Sequence, residues 1–263
     1  MLQVIHISDT HLGPTPDFEV RGACPHARLE RLVEGILGLD FTPDFVIHTG
    51  DVANDPHPDA YRLAAAQFAR FPCPVYSVVG NHDAAAMMRG ALVLPPAEPL
   101  ASDPDRLAYR FDRDGVRFFV LDARMPDPEE PHGVLPEPQL EALTSNLAAW
   151  TGPFAVLLHF PPFPIGSPWI DEFLALRNGE ALHRAIVNAG PARCRGVFFG
   201  HLHRGIQIYR DGILYAAVSS PACQFSAGTR DERVAFDPEC PLPFNHLTFT
   251  ADGTIVKEHV LNR

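Results

Sequence analysis

The sequence contains no apolar run that approaches the length of a membrane-spanning helix. Its longest nearly uncharged stretches, such as residues 116–121 and 154–158, have the length of a β-strand, whereas a membrane helix needs roughly 20 apolar residues. The N-terminus also lacks the basic segment, apolar stretch and cleavage site of a secretory signal. We therefore expect no membrane span and a cytoplasmic location.

Basic residues are scarce relative to acidic ones. The chain has 21 lysines and arginines against 32 aspartates and glutamates, which gives a net charge of -11. Proteins that bind duplex nucleic acid usually carry a basic stripe, because neutralising phosphates supplies most of their affinity. This balance argues against duplex nucleic acid as the main partner.

Paired cysteines, internal repeats and low-complexity segments are absent as well. The five cysteines are scattered and never form a C-x-x-C motif, so neither a disulfide framework nor a zinc ribbon is indicated. With 263 residues, of which 46% are hydrophobic, the chain is long enough to bury a sizeable core. We expect one domain over residues 1–263.

Short apolar segments recur along the chain and predict β-strands. These segments are Val4–Ser8, Phe45–Thr49, Val75–Val79, Val116–Asp122, Phe154–His159, Val197–Phe199 and Leu214–Val218. Because most of them are apolar at nearly every position, they suit strands that are covered on both faces. Residues 247–260 predict a β-hairpin around Asp252-Gly253.

Helical periodicity appears between and after these strands. Apolar side chains repeat at helical spacing in residues 29–37, 61–68, 140–150 and 182–186. The chain thus starts as alternating strands and helices and ends rich in strands, which predicts a layered α/β fold.

Side chains that commonly bind metals follow five of the predicted strands. They lie in Asp9-Thr10-His11, Gly50-Asp51, Gly80-Asn81-His82-Asp83, His159 and Gly200-His201-Leu202-His203. The carboxyl ends of strands in an open α/β sheet meet at one crevice, so we expect the five segments to converge. In the Asp-x-His and His-x-His pairs, alternate side chains of an extended segment lie on the same side and can reach one cluster.

The residue types in these segments indicate transition metals. Imidazole and carboxylate ligands together suit Fe, Mn or Zn better than Mg or Ca alone. One carboxylate, here Asp51, can bridge two cations about 3.5–4 Å apart, a separation at which both contact the same phosphate. Glycines before Asp51, Asn81 and His201 would let the backbone turn beside a crowded site. The sequence therefore predicts a centre that holds two metal ions.

The ordered set of five motifs resembles the calcineurin-like metallophosphoesterase superfamily over essentially the whole chain. The resemblance implies a four-layer α/β/β/α sandwich and two divalent or trivalent metal ions, with Mn, Fe and Zn as the candidates. The ligands that it implies are Asp9, His11, Asp51 and His203 for one metal, and Asp51, Asn81, His159 and His201 for the other.

A finer likeness lies after the fourth ligand. Residues 159–171 look like the corresponding segment of class III cyclic nucleotide phosphodiesterases and glycerophosphodiesterases, although Phe160 stands where members commonly have a second histidine. The resemblance implies that a metal-bridging hydroxide attacks a small phosphodiester, with 3′,5′-cyclic nucleotides as the first candidates. It further implies that His82 assists the leaving oxygen while Asp83 orients the His82 ring. Members of the superfamily often assemble as dimers, so a homo-oligomer, with a dimer first, is the candidate assembly.

The residues leave several alternatives open. The same ligand set serves glycerophosphodiesterases, broad-specificity phosphomonoesterases and nucleases, and His82 could act only by supporting a neighbouring ligand. A non-catalytic binding module could retain the fold, but such proteins tend to lose ligand residues and every position is filled here. Phe160, Phe163 and Trp169 could stack on a nucleobase or anchor their proline-rich loop. Residues 87–89 could line the substrate mouth or form a short helix.

Overall fold

Two large β-sheets form the centre of the protein, which is a computed structural model that describes residues 1–125 and 131–261. The strands are β1 (Leu2–Ile7), β2 (Phe45–His48), β3 (Val75–Ser77), β4 (Glu98–Pro99), β5 (Tyr109–Arg113), β6 (Val116–Val120), β7 (Phe154–Leu157), β8 (Cys194–Phe199), β9 (Gln207–Arg210), β10 (Ile213–Ala217), β11 (Gln224–Phe225), β12 (Phe236–Asp237), β13 (Leu242–Phe249) and β14 (Thr254–Leu261). The helices are α1 (Pro25–Leu37), α2 (Pro58–Phe68), α3 (Ala85–Ala91), α4 (Glu137–Ala149), α5 (Pro168–Phe173) and α6 (Gly179–Ala189), with a 3₁₀ turn at Pro191–Arg193.

Each of the two sheets contains a run of adjacent parallel strands. The first sheet has the order β14-β13-β1-β2-β3, with β1, β2 and β3 parallel to one another. The second has the order β4-β5-β6-β7-β8-β10-β9, in which β6, β7, β8 and β10 are parallel. In each sheet, the carboxyl ends of these parallel strands therefore lie at the same end of the sheet, and the loops that follow them can meet there.

Side chains that alternate along the strands show how the layers stack. Phe45 of β2 packs edge-on against Phe118 of the second sheet, whereas His48 on the opposite face packs against Phe68 of α2. In β6, Phe118 shares a core with the first sheet, and its neighbour Phe119 belongs to a second core with α4 and α6. Because successive side chains point to opposite faces of a strand, the order of layers is helix, sheet, sheet, helix. The predicted four-layer α/β/β/α sandwich is confirmed.

The strands that were not predicted have weaker hydrophobic patterns. β5 and β9 carry charged and half-exposed residues, as expected for strands near or at the edge of a sheet. β13 begins at Leu242, earlier than the predicted start at Leu247, and the pattern missed these first residues because Pro243 interrupts their apolar run. Pro243 pairs with β14 only, beyond the end of the β1 ladder, so its missing N–H costs no bond to a central strand.

Within the described ranges, no helix is long and apolar enough to cross a membrane.

Candidate metal centre

Loops at the carboxyl ends of β1, β2, β3, β7 and β8 bring their polar side chains into one cluster. Its buried members are Asp9, His11, Asp51, His159, His201 and His203, none more than 4% exposed. Asn81 joins them from the loop after β3, where its Oδ1 lies 3.2 Å from His159 Nε2. The structure thus brings all seven of the sequence-predicted ligands together. They lie where the carboxyl ends of the parallel strands of both stacked sheets meet.

The glycines of these loops stand where the cluster is most crowded. Gly50 has a φ of 102°, and a Cβ on it would overlap the His159 ring. Gly80 keeps an ordinary φ, but a Cβ there would overlap the Asp51 carboxylate. Glycine is therefore needed at the first position for its backbone conformation and at both positions for space.

Five of the clustered residues themselves hold left-handed backbone conformations. Their φ angles are 56° at Asp9, 47° at His11, 55° at Asp51, 68° at His201 and 52° at His203. Non-glycine residues rarely adopt this region, and each instance costs on the order of 1–3 kcal/mol that the surrounding structure must offset. Strain of this kind concentrates at functional sites, which is where the loops place it.

Two groups of ligand-type atoms can be distinguished in the cluster. The first comprises Asp9, His11, Asp51 and His203, whose ligand atoms all lie within 4.8 Å of one another. His11 Nε2 lies 2.9 Å from His203 Nε2 and 3.7 Å from Asp51 Oδ2. His203 Nε2 also lies 3.6 Å from Asp9 Oδ1. Four potential ligands therefore surround one small volume.

The second group comprises Asp51, His159 and His201, with the same maximum separation of 4.8 Å between ligand atoms. His159 Nε2 lies 3.2 Å from Asp51 Oδ2 and 2.9 Å from His201 Nδ1. Asn81 Oδ1 faces the same nitrogen. Asp51 belongs to both groups, as a carboxylate that bridges two cations would.

Hydrogen bonds behind the cluster fix which ring nitrogens face it. His203 Nδ1 donates to the carbonyl oxygen of Cys223 and His159 Nδ1 to that of Thr49, each at 2.7 Å. A neutral imidazole protonated at Nδ1 presents a lone pair at Nε2. Both Nε2 atoms therefore point electron pairs at other acceptors in the cluster, and such backbone bonds are the usual support of histidine ligands.

Other buried nitrogens of the cluster have no partner in the described part of the chain, namely His11 Nδ1 and His201 Nε2. Buried polar atoms without partners are rare and costly. Converging lone pairs, two carboxylates and unpartnered imidazole nitrogens together form a donor set that fits two metal ions.

The pKa values of the clustered residues are shifted in different directions. Burial would raise the pKa of Asp51, but the charges of His159 and His82 hold it well below its usual range. Burial would likewise lower the pKa of His159, yet the Asp51 carboxylate raises it to about 9, so a metal ion that binds Nε2 must displace a proton from it. Burial and the nearby charge of Arg21 lower the pKa of His203 to about 3, so this ring is neutral and able to bind a cation.

His82 and Asp83 lie beside the cluster, but their side chains do not form the expected hydrogen bond with each other. His82 Nδ1 donates to the carbonyl oxygen of Asn54 at 2.6 Å. The Asp83 carboxylate instead accepts bonds from the backbone N–H groups of Val52, Ala53 and Gly80 and from the Tyr61 hydroxyl. The expectation that Asp83 orients the His82 ring is corrected: Asn54 orients the ring, and Asp83 ties together the loops after β2 and β3.

A cleft opens over the cluster. The cavity has a volume of about 210 Å³, and its lining includes Arg21, Asp51, Asn81, His82, Trp169, His201, His203, Phe225 and Phe236. Arg21 and Phe236 were not predicted, since a single arginine or phenylalanine in a loop carries no signal in the sequence. Trp169 lines the cleft, whereas Phe160 is fully buried against His159 and His201.

The remaining loop residues considered from the sequence lie outside the cleft. Phe163 packs against His183 and Tyr215 in the second core and anchors its loop. Residues 87–89 lie in helix α3, where Met88 is buried and Met87 is 39% exposed. The alternative of a short helix with its apolar side inward is confirmed for them.

Comparison with known proteins yields one family and several characterised relatives. The family profile described as calcineurin-like phosphoesterase matches residues 2–205. The 3′,5′-cyclic adenosine monophosphate phosphodiesterase CpdA of Escherichia coli is 28% identical over 98% of this chain and 88% of its own length. The glycerophosphodiester phosphodiesterase GpdQ of Enterobacter lignolyticus is 31% identical over 75% of this chain and 69% of its own length.

Solved structures share the fold at low sequence identity. A dimetal phosphatase from Danio rerio superimposes with a TM-score of 0.65 at 15% identity, covering 99% of this chain and 98% of its own. A purple acid phosphatase from yellow lupin also gives 0.65, at 14% identity, covering 99% of this chain and 52% of its own. These likenesses establish the fold, whereas the chemistry has to be inferred from the residues of the site.

Proposed function

Because this chain belongs to the calcineurin-like phosphoesterase family, we propose that its metal centre hydrolyses small phosphodiesters, with 3′,5′-cyclic nucleotides as the first candidate substrates. The chain is a metal-dependent phosphoric diester hydrolase, as its family and its phosphodiesterase relatives indicate. The observation that carries the proposal is the position of Asp51, whose carboxylate belongs to both groups of ligand atoms.

Two metal ions would be held by the seven clustered side chains. In this assignment, one ion is bound by Asp9, His11, Asp51 and His203, and the other by Asp51, Asn81, His159 and His201. When bound, the two ions supply positive charge that stabilises the phosphoryl oxygens and lowers the pKa of water enough to provide a nucleophile near neutral pH. Mn, Fe and Zn are the candidates, since mixed imidazole and carboxylate ligands suit them.

Side chains around the cluster position the ligands and handle the leaving group. Asp9 accepts the backbone N–H of His201 at 3.0 Å, which ties the loops after β1 and β8 together. The Nδ1–H of His82 donates a hydrogen bond to the carbonyl oxygen of Asn54, so Nε2 is the ring atom that faces a substrate, and in the imidazolium form it can pass a proton to the leaving oxygen. An alkoxide leaves poorly without such a proton, and a diester of an ordinary alcohol therefore needs His82.

The cleft suits a small substrate with an aromatic part. Its volume of about 210 Å³ is lined by Trp169, Phe225 and Phe236 above the clustered ligands. Aromatic side chains of this kind stack on nucleobases with little preference for one base over another. Glycerophosphodiesters are the second candidate class, because the GpdQ relative is named for that activity.

A substrate panel tests the proposed function. The protein loaded with Mn, Fe, Zn or Co in turn should hydrolyse cyclic AMP and bis(p-nitrophenyl) phosphate, with AMP formation followed by chromatography and p-nitrophenolate release by absorbance. Chelation should abolish this activity and addition of the metal should restore it, because the centre depends on bound cations. Activity confined to the monoester p-nitrophenyl phosphate would contradict the proposal.

A further inference from the structure

One cation of the cleft, Arg21, is left without a role by the proposed reaction. Its side chain lines the cavity together with Asp51 and His82. It pairs with no carboxylate in the described part of the chain, although other arginines do, such as Arg117 with Asp112 at 2.8 Å. Its Nη1 lies 4.0 Å from Cys223 Sγ, a weak acceptor, so the guanidinium can still bind a substrate anion.

Local structure holds Arg21 firmly in this place. Its φ of 52° and the φ of 82° at Gly22 form a tight left-handed turn. Val20 and Ala23 close this turn by donating backbone hydrogen bonds to each other, both 2.9 Å long. The guanidinium then lies over the rings of Phe225 and Phe236, at 5.4 and 4.9 Å from their centroids. Cation–π contacts of this kind orient an arginine through the face of its guanidinium and leave the N–H groups at its edge able to bind an anion.

The two rings place the guanidinium at a defined depth in the cleft. Phe225 is buried and stacks on the candidate ligand His203 at 3.8 Å, whereas Phe236 is 43% exposed at the rim. Arg21 thus lies between the inner wall and the rim, one aromatic layer outward from the clustered ligands. A group at this depth would meet a substituent of the phosphodiester rather than the phosphorus itself.

We propose that Arg21 is a specificity-determining residue that binds a second phosphate of the substrate, carried on the alcohol portion of the scissile diester. The inference rests on the proposed phosphodiesterase function and narrows its substrate class. A cyclic mononucleotide with one negative charge is still a substrate, but a diester with an additional phosphate is preferred. Arginine suits this role because its planar fork binds phosphate oxygens in pairs.

The inference is tested with two chromogenic substrates that differ only in this phosphate. They are thymidine 5′-(p-nitrophenyl phosphate) and the same compound phosphorylated at its 3′ oxygen. The metal-loaded wild type should show a kcat/KM higher by about ten- to a hundredfold for the second compound, the range expected from charge-assisted hydrogen bonds. In Arg21→Gln this preference should vanish, with the kcat/KM for the first compound changing by less than about threefold.

Two further variants make the outcome specific. Arg21→Lys keeps the charge but loses the fork, and should retain only part of the preference. Arg233→Gln removes an exposed positive charge beside Val234, on the same rim, and should keep the full preference. Equal losses on both substrates in Arg21→Gln would place the residue on the scissile phosphate and overturn the inference, as would a wild type with no preference.

Binding of the products separates this inference from the proposed function. Calorimetry should show that wild type binds thymidine 3′,5′-bisphosphate more tightly than thymidine 5′-monophosphate by about tenfold or more, and that Arg21→Gln binds them equally. If both chromogenic diesters are hydrolysed but the bisphosphate has no binding advantage, only the role of Arg21 fails. If the wild type hydrolyses neither diester, the proposed function fails and the inference falls with it.

Discussion

Replacing Asp51 by alanine is expected to remove both metal ions and nearly all phosphodiesterase activity. The carboxylate belongs to both groups of candidate ligands, and Asp51 Oδ1 also accepts the backbone N–H of His82 at 2.9 Å. Loss of a residue that only supports a metal ligand costs about 10- to 100-fold in affinity or activity. Loss of a shared ligand should cost at least about a thousandfold in kcat/KM, and elemental analysis should find less than one ion per chain.

Asp55→Ala provides the matched control for this prediction. Asp55 lies in the same loop but is exposed, with its carboxylate bonded to the Asn54 side chain rather than to the cluster. Its variant should keep two ions per chain and activity within about threefold of wild type. Circular dichroism of both variants shows whether the fold is kept. An Asp51→Ala protein that is folded, binds two ions and remains active would remove Asp51 from the centre.

Replacing His82 by alanine should reduce activity in a way that depends on the leaving group. General acid catalysis contributes about 10²- to 10⁴-fold, so hydrolysis of cyclic AMP, which expels an alkoxide, should fall by about a thousandfold. Bis(p-nitrophenyl) phosphate expels a stable phenolate and needs little protonation, so its kcat/KM should fall by about tenfold or less. Metal content should stay at two ions per chain, since Asn81 and not His82 is the proposed ligand.

The ratio of these two losses is the informative quantity. A purely structural role of His82 would lower both activities equally and lower metal content as well. His259→Ala is a suitable control, because His259 lies on the edge strand β14, where its ring stacks on Phe244. That variant should hydrolyse both substrates as the wild type does, and a change in the ratio there would discredit the assay.

The sequence was sufficient to predict the layers and the convergence of the site. Apolar strands that end in Asp-x-His, Gly-Asp, Gly-Asn-His-Asp and Gly-His-x-His have their polar ends at one sheet edge, and the structure shows those loops meeting. The convergence was predictable because the position of a residue at the end of a parallel strand is a property of the local chain. The ligand roles themselves stay predictions, as do the single domain and the homodimer.

Contacts between distant loops could not be predicted in the same way. The carbonyl of Asn54 that orients His82 is a backbone group, and any residue type could supply it. Asp83 stands next to His82 in the sequence, yet its carboxylate turns toward three backbone N–H groups of neighbouring loops. Adjacency along the chain was therefore a poor guide to which side chains touch.

Arg21 is another residue whose position in the cleft could not be predicted from the sequence. In the sequence it is one arginine in a loop rich in small and charged residues, without a motif around it. Its place depends on the left-handed turn with Gly22 and on Phe225 and Phe236, which lie about two hundred residues further along the chain. Only the fold brings the three side chains together beside the candidate ligands.

Anomalous diffraction from crystals of the metal-loaded protein tests the central claim most directly. We expect two peaks about 3.5–4 Å apart, both within bonding distance of the Asp51 carboxylate. One peak should be bound by Asp9, His11 and His203, and the other by Asn81, His159 and His201, at about 2.0–2.2 Å for nitrogen and oxygen ligands. A single peak in an active crystal, or two peaks that do not share Asp51, would contradict the two-metal account.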